Sequence, residues 1–377
     1  MYLRLLEFLR CPDCAAPFTL VPLAPAAAAA ADQEVSEGLL TCVQGHSFPV
    51  VGGIPRMLPD ALAEHWPRLA PLVPQQPPEV LRELVAAHGR PAESADYDRR
   101  TRANFSAEWD NHDLGGKTWG MELADRVRWF FVEPLRVPVE ELRGKVLLDA
   151  GCGNGSQSVA YTKLGLEVIA VDLSTGLEHG HAFRKLHVGA DPTRVHFIQG
   201  DLQRPPLARA SVDLIHSAGV LHHTPDTRKT FRALRPLLKP GGTFYVWFYR
   251  YEPVVTPVVN AMRAVTTRIP SPAFARLARL MALPFIGFCK TVNAVGLRAY
   301  GEINRREAAL ALMDIFGAPY AHYHSYAEVE DWYRAEGFTT VWGANEGRRG
   351  FGVVGRLAGG GEERREPRAR AAQVTTV

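Results

Sequence analysis

One stretch constrains this chain more than any other: Val146-Leu-Leu-Asp149-Ala-Gly151-Cys-Gly153-Asn-Gly155-Ser156, an apolar run, an acid and three glycines at alternate positions, leading into a helix that starts near Ser156. Glycines let the backbone turn sharply and approach a ligand, and a helix N-terminus adds oriented N–H groups. Around it, the apolar runs Lys145–Asp149, Glu167–Asp172, Val195–Gln199, Val212–Ser217 and Thr243–Tyr249 alternate with helix-sized segments. Continuous apolar runs separated by helices predict buried parallel strands in an α/β sheet. Phe338–Trp342 and Phe351–Leu357, joined by the turn-like Gly343–Gly350, fit an antiparallel pair at the sheet edge. Asp172 ends the second strand, about 20 residues beyond the loop, where a carboxylate can accept two hydrogen bonds from a ribose diol. Gly200-Asp201-Leu202 follows the third strand. These acids, with Asp149, lie at strand carboxyl ends, where open α/β sheets bind ligands. The dinucleotide pattern G-x-G-x-x-G does not fit, because its last position is Ser156 counted from Gly151 and Ser158 counted from Gly153. Cys152 reads as a small filler in the loop.

The rest of the chain divides around this core. Residues 1–58 hold three of the five cysteines. Residues 59–95, punctuated by prolines from Pro59 to Pro91, read as a Pro-rich linker or a set of short, broken helices. Residues 96–357 carry the α/β pattern, and the tail 358–377 reads as disordered. In 377 residues, 43 basic and 40 acidic side chains leave a net charge of +3, too balanced for a chain dedicated to nucleic acid as a whole. Five cysteines exclude a disulfide scaffold in a chain of this length. No signal-like segment opens the sequence, and no run of about 18 apolar residues is free of charge, so the expectation is a reducing, cytoplasmic compartment and no transmembrane segment.

Cys11-Pro-Asp-Cys14 and Cys42-Val-Gln-Gly-His46 supply four soft ligands in two knuckles, and this is tetrahedral zinc spacing. About 58 residues cannot build much core of their own, so a structural metal makes physical sense there. The alanine-rich 24–31 between the knuckles reads as an extended loop.

The G-x-G-x-G loop after Asp149 resembles motif I of the class I S-adenosylmethionine-dependent methyltransferases. Ala170-Val-Asp172-Leu-Ser, Gln199-Gly-Asp201-Leu, Asp213 to Asp226 and Leu238-Lys-Pro-Gly-Gly242 follow in the family's order. The resemblance implies a doubly wound, mostly parallel seven-stranded sheet with S-adenosyl-L-methionine as cofactor. It places Gly151, Gly153 and Gly155 under the methionine part, with Asp149 orienting the loop. Asp172 would hold the ribose hydroxyls with Leu173 against the adenine, and Asp201 would accept from the adenine amino group with Leu202 beside the ring. Ser217 to Gly219 would floor the site beside the sulfonium. His222, after the fourth strand, is the candidate general base, with His223 facing the protein. The amino-terminal segment is similar to zinc-ribbon modules fused to, or acting beside, methyltransferases, with Cys11, Cys14, Cys42 and His46 closing a structural site. Asn104-Phe105-Ser-Ala-Glu108-Trp109 resembles the cover of the cofactor, and Asp314 to His324 resembles a segment lining the substrate pocket.

From Pro253 to Gly301 there are six basic residues and no acid, with apolar residues between them. A basic amphipathic cap suits an apolar anionic substrate, a membrane surface or RNA phosphates. The expectation is a helical lid walling an apolar pocket above His222, and a methyltransferase acting on a small hydrophobic metabolite. RNA methylation with the ribbon presenting the nucleic acid is the rival enzyme reading, and a non-catalytic cofactor-binding partner subunit is the rival outside enzymes.

Overall fold

The computed structural model describes residues 1–23, 34–73, 96–110, 117–187, 189–295, 302–347 and 349–359. The alanine-rich 24–31, most of the expected linker (74–95) and nearly all of the tail lie outside these residues.

Phe18–Pro22 (β1), Gly38–Cys42 (β2), Ser47–Val51 (β3) and Ile54–Pro55 (β4) form an antiparallel sheet in chain order. All of β2 but Thr41, and all of β3 but Ser47, is buried. Both faces are therefore covered, unlike an antiparallel sheet with one wet face. One side is closed by Ala61–Leu69 (α1), whose Leu69 packs on Leu39 and Val51. So the expected linker opens with a helix that belongs to this small sheet. On the other side Leu40, Phe48, Val50 and Met57 share an apolar core with Leu148, Ile198, Leu202 and Leu207.

Leu148 and Ile198 belong to a seven-stranded sheet, and Leu202 and Leu207 to the loop after its third strand. The strands are Val146–Ala150 (β5), Glu167–Asp172 (β6), Val195–Gln199 (β7), Val212–Ala218 (β8), Leu238–Tyr249 (β9), Phe338–Ala344 (β10) and Gly350–Leu357 (β11). The order is β10-β11-β9-β8-β5-β6-β7. Neighbours from β9 through β7 run parallel, whereas β11 is antiparallel to both β9 and β10. This is the doubly wound, mostly parallel sheet expected, with the antiparallel pair at its edge. β5 and β7 are buried throughout, as parallel strands covered on both faces must be. Strand order reverses between β5 and β8, opening the crevice at their carboxyl ends where such sheets take ligands.

The β7 edge is not left open. Arg56 bridges to Gln199 in parallel, and Met57 N–H donates to Gln199 O at 2.7 Å. The small sheet thus covers an edge that would otherwise present unpaired backbone groups. Helices Asp96–Trp109 (α2) and Leu123–Val127 (α3) precede β5, and Ser156–Tyr161 (α4), Leu177–Phe183 (α5) and Thr227–Leu234 (α6) lie in the crossovers. After β9 come Val255–Thr266 (α7), Ser271–Ala294 (α8), Arg305–Gly317 (α9) and Tyr326–Ala335 (α10). α9 starts in a capping box, with Asn304 accepting from the Glu307 N–H and the Glu307 carboxylate accepting from the Asn304 N–H.

Candidate functional site

After β5 the chain turns at Gly151, with φ +87° and a Cβ position 2.3 Å from Val220 Cγ1. Gly155 has φ +72°, and its Cβ would meet the Phe197 ring at 2.5 Å. Both positions need glycine for conformation and for space. The acids divide the work around this loop. Asp149 lies beneath it, its carboxylate accepting from the Ser158 hydroxyl at 2.6 Å and 3.2 Å from His216 Nδ1. It ties β5 to α4 and β8 and does not reach the cavity wall. Asp172 accepts from the Gly153 N–H at 2.7 Å, and from the Ser174 N–H and hydroxyl at 2.8 and 2.7 Å. Burial pushes its carboxyl above the usual range against the pull of these donors. Asp201 accepts from the Gln203 N–H at 2.8 Å.

These groups surround a cavity of about 500 Å³ at the strand-order reversal, within the range of small-molecule and cofactor sites. Gly151, Gly153, Asp172, Leu173, Asp201, Leu202 and Gly219 line it. Gly155 and Ser217 do not, and the Ser217 hydroxyl is spent on Ala150 O at 2.8 Å. Aromatic side chains supply the cover: Phe105 and Trp109 from α2, Trp119, Trp129 and Phe130, and Trp247 and Tyr249 from β9. No residue of 253–295 lines the cavity. The described part of the expected lid (253–295) therefore does not wall it; α7 and α8 pack instead on α9 and α2.

The two histidines exchange places relative to the expectation. Leu221–His223 is a 3-10 turn, in which consecutive side chains point about 120° apart, so only one of the pair can face the cavity. That one is His223. His222 is fully buried with its ring 4.1 Å from that of Tyr249, and neither ring nitrogen has a partner. Burial, reinforced by His223 and His324, pushes its pKa well below the ordinary histidine value. A base must reach the proton it takes, and His222 does not reach the cavity.

Around His223 lies a cluster of polar groups. Its Nδ1 is 2.7 Å from Tyr320 O, and since a carbonyl only accepts, Nδ1 carries the proton. Nε2, without a hydrogen-bond partner, is 3.3 Å from the Asp314 carboxylate, which accepts from the Tyr249 hydroxyl. Glu108 stands on the same wall, fully buried, with Oε2 unpartnered. Burial, with Asp314 and Asp172 nearby, pushes its carboxyl well above the usual range. Arg126 lines the cavity too; burial lowers its pKa to about 10, and Nε and one terminal nitrogen lack partners. Its other terminal nitrogen donates to Gln157 Oε1 at 3.4 Å. Arg126 carries no sequence signal, because it sits in a short helix outside every motif.

Away from the cavity, one ligand atom from each of Cys11, Cys14, Cys42 and His46 lies within 4.8 Å of the others. Cys11 Sγ and Cys42 Sγ are 3.5 and 3.6 Å from His46 Nδ1, and Cys14 Sγ is 3.6 Å from Cys42 Sγ. Three sulfurs and a nitrogen at these separations match the corners of a zinc tetrahedron with bonds of about 2.0–2.3 Å.

Residues 148–246 match the family described as methyltransferase domain. Ubiquinone biosynthesis O-methyltransferase of Coxiella burnetii is 30% identical over 155 residues, covering 39% of this chain and 61% of the relative. The enzyme of that name from Xanthomonas euvesicatoria is 34% identical over 107 residues, 28% of this chain and 44% of the relative. The chain thus spans about three fifths or less of the length of these curated relatives. Among solved structures, magnesium protoporphyrin IX methyltransferase of Synechocystis shares 14% identity at a TM-score of 0.40, covering 71% of this chain and all of that one. A SAM-dependent methyltransferase of Aquifex aeolicus shares 16% at a TM-score of 0.37, covering 62% and 93%. The matched segment, the motif order and the sheet agree: residues 148–246 match the methyltransferase-domain family, and they run from β5 into β9 with the glycine loop and the strand-end acids.

Proposed function

We propose that this protein methylates a small, apolar acceptor bearing an ionisable hydroxyl, with S-adenosyl-L-methionine as methyl donor. One observation carries the reading: a single aromatic-walled cavity holds both the glycine loop with its strand-end acids and the His223–Asp314 pair. The relatives' name, O-methyltransferase, agrees with a hydroxyl acceptor. Bound there, the cofactor supplies an activated methyl on a sulfonium leaving group. Gly151 and Gly153 would lie under its methionine part, Asp172 would take the ribose hydroxyls, and Leu173, Asp201 and Leu202 would hold the adenine. Arg126, with two unpartnered nitrogens on the wall, suits the cofactor carboxylate.

The remaining work falls to the protein: aligning the acceptor, excluding water and removing a proton. The aromatic wall supplies the first two. His223 Nε2, with Nδ1–H anchored on Tyr320 O, takes the hydroxyl proton, and Asp314 stabilises the imidazolium that forms. A cavity of about 500 Å³ has no room for a polynucleotide unless a base is flipped into it. Cys11, Cys14, Cys42 and His46 would hold one structural zinc, since four protein ligands leave no position for water.

Calorimetric titration with S-adenosylhomocysteine tests the cofactor half of the reading. Asp172→Ala should weaken binding by ~1–3 kcal/mol, the usual range for stranding polar partners. Unchanged affinity would move the ribose site elsewhere. Turnover against a panel of phenols, with mass spectrometry of the product, tests the acceptor half.

A further inference from the structure

α7 and α8 take no part in the cavity, and each leaves an exposed apolar face without a partner among the described residues. α8 buries Phe274, Ala275, Ala278 and Ala282 against α9. Its opposite side carries Leu280, Phe288 and Met281 at 70%, 62% and 46% exposure. At 3.6 residues per turn Leu277, Leu280, Met281, Pro284 and Phe288 fall in a stripe about 100° wide. Arg276, Arg279 and Lys290 are exposed along one flank of that stripe. α7 repeats the theme with Val258, Met262 and Val265 at 59%, 49% and 63% exposure. A row of large apolar side chains this long differs from the scattered ones of an ordinary surface, and it marks an interaction site.

Charge decides the occupant. Between Pro253 and Val295 there is no acidic residue. Arg263 turns inward to the Ile315 and Ala318 carbonyls, at 2.7 and 2.6 Å. Arg268, Arg276, Arg279 and Lys290 remain on the outside. A second copy meeting this face symmetrically would set these cations against their equivalents, with no acid of the segment to pair them. Ser271–Ala294 is also long and apolar enough to cross a membrane. Its packed face, however, is held on α9, and crossing would carry Arg276 and Arg279 into hydrocarbon. Apolar side chains flanked by cations suit the plane of an anionic lipid surface instead.

We propose that α7 and α8 dock this protein on the surface of an anionic lipid bilayer, with the apolar stripe at the acyl boundary and the flanking cations among the headgroups. The docking is separate from methyl transfer and needs no cofactor.

The full chain, without cofactor, is floated with phosphatidylcholine vesicles containing either no phosphatidylglycerol or about 30 mol% of it, at low and high salt. Binding to the anionic vesicles, weakened by salt, is expected. Arg276→Glu/Arg279→Glu should lower that affinity at least about tenfold. Leu280→Asp/Phe288→Asp should abolish it, with circular dichroism and S-adenosylhomocysteine binding unchanged. Equal retention on neutral and anionic vesicles, or binding that persists in the Leu280→Asp/Phe288→Asp protein, would overturn the proposal. So would sedimentation showing a dimer that this second variant dissolves, with no vesicle binding by the native chain, because the face would then join two copies.

Discussion

In the turn Leu221–His223 the Nδ1–H of His223 is committed to Tyr320 O at 2.7 Å, which leaves the lone pair on Nε2, a buried atom 3.3 Å from Asp314. An imidazole anchored at one nitrogen and neighboured by a carboxylate is oriented for proton removal. Its neighbour His222, enclosed by Tyr249, Phe248 and Trp247, can only remain neutral there. His223→Gln should lower turnover by ~10²–10⁴, the usual contribution of general-base catalysis, and leave S-adenosylhomocysteine affinity unchanged. His222→Phe should retain most of the activity. Steady-state kinetics beside calorimetry checks both, and the reverse ranking of the two variants would return the base to His222. The motif pointed to this pair of histidines, but the choice between them rests on a rotation of about 120° that only the turn type decides.

At the scale of elements, the strand runs other than that of β9 were legible to within a residue or two. Glu167–Asp172 and Val195–Gln199 form over the residues expected, because a strand buried on both faces leaves an unbroken apolar signature. β9 runs further back than expected, starting at Leu238 and passing through the glycines of Lys239-Pro-Gly-Gly242. Turn chemistry shows there as an irregularity within the strand: Val212 pairs with Leu238 and Leu214 with Thr243, and the register skips Lys239 to Gly242 between them. The small amino-terminal sheet carries two knuckles whose ligand atoms converge, Cys11–Cys14 and Cys42–His46. Protein purified without chelator should contain close to one zinc per chain, and Cys42→Ala should lose it and lower the melting temperature. Elemental analysis with thermal denaturation reads both. A metal-free preparation that melts like the native protein would end the zinc assignment.

For the whole molecule, the amino-terminal sheet is part of the main body rather than an appendage. It shares the apolar core of the large sheet and covers the β7 edge. It is also joined electrostatically: Arg4 Nε lies 3.1 Å from the Glu167 carboxylate, and His196 Nε2 lies 3.3 Å from it. Burial alone would raise the pKa of Glu167, but the His196 and Arg4 contacts outweigh it and hold the carboxyl at about 2. The folded value lies below the unfolded value of about 4.3, so the contribution to stability is full above that value and lost as pH falls toward 2. Urea midpoints at about pH 5 and pH 3 should therefore fall further for the native protein than for Glu167→Gln. Equal falls would show that this junction does not couple the two sheets.

The sequence by itself determined the sheet, the glycine loop, the strand-end acids and the four candidate metal ligands. Each is written in local terms: an apolar run with its period, a backbone that needs glycine, or a ligand spacing within a knuckle. Tertiary structure decided what depends on distant chain segments meeting. Glu108, Arg126, His223, Tyr249 and Asp314 come from five parts of the chain and acquire a common role only because the fold sets them on one cavity wall. The basic, apolar segment after β9 was legible as amphipathic, but its period is the same whether its apolar face looks inward or outward. The packing of α8 on α9 commits one face to the protein and leaves the other to the outside.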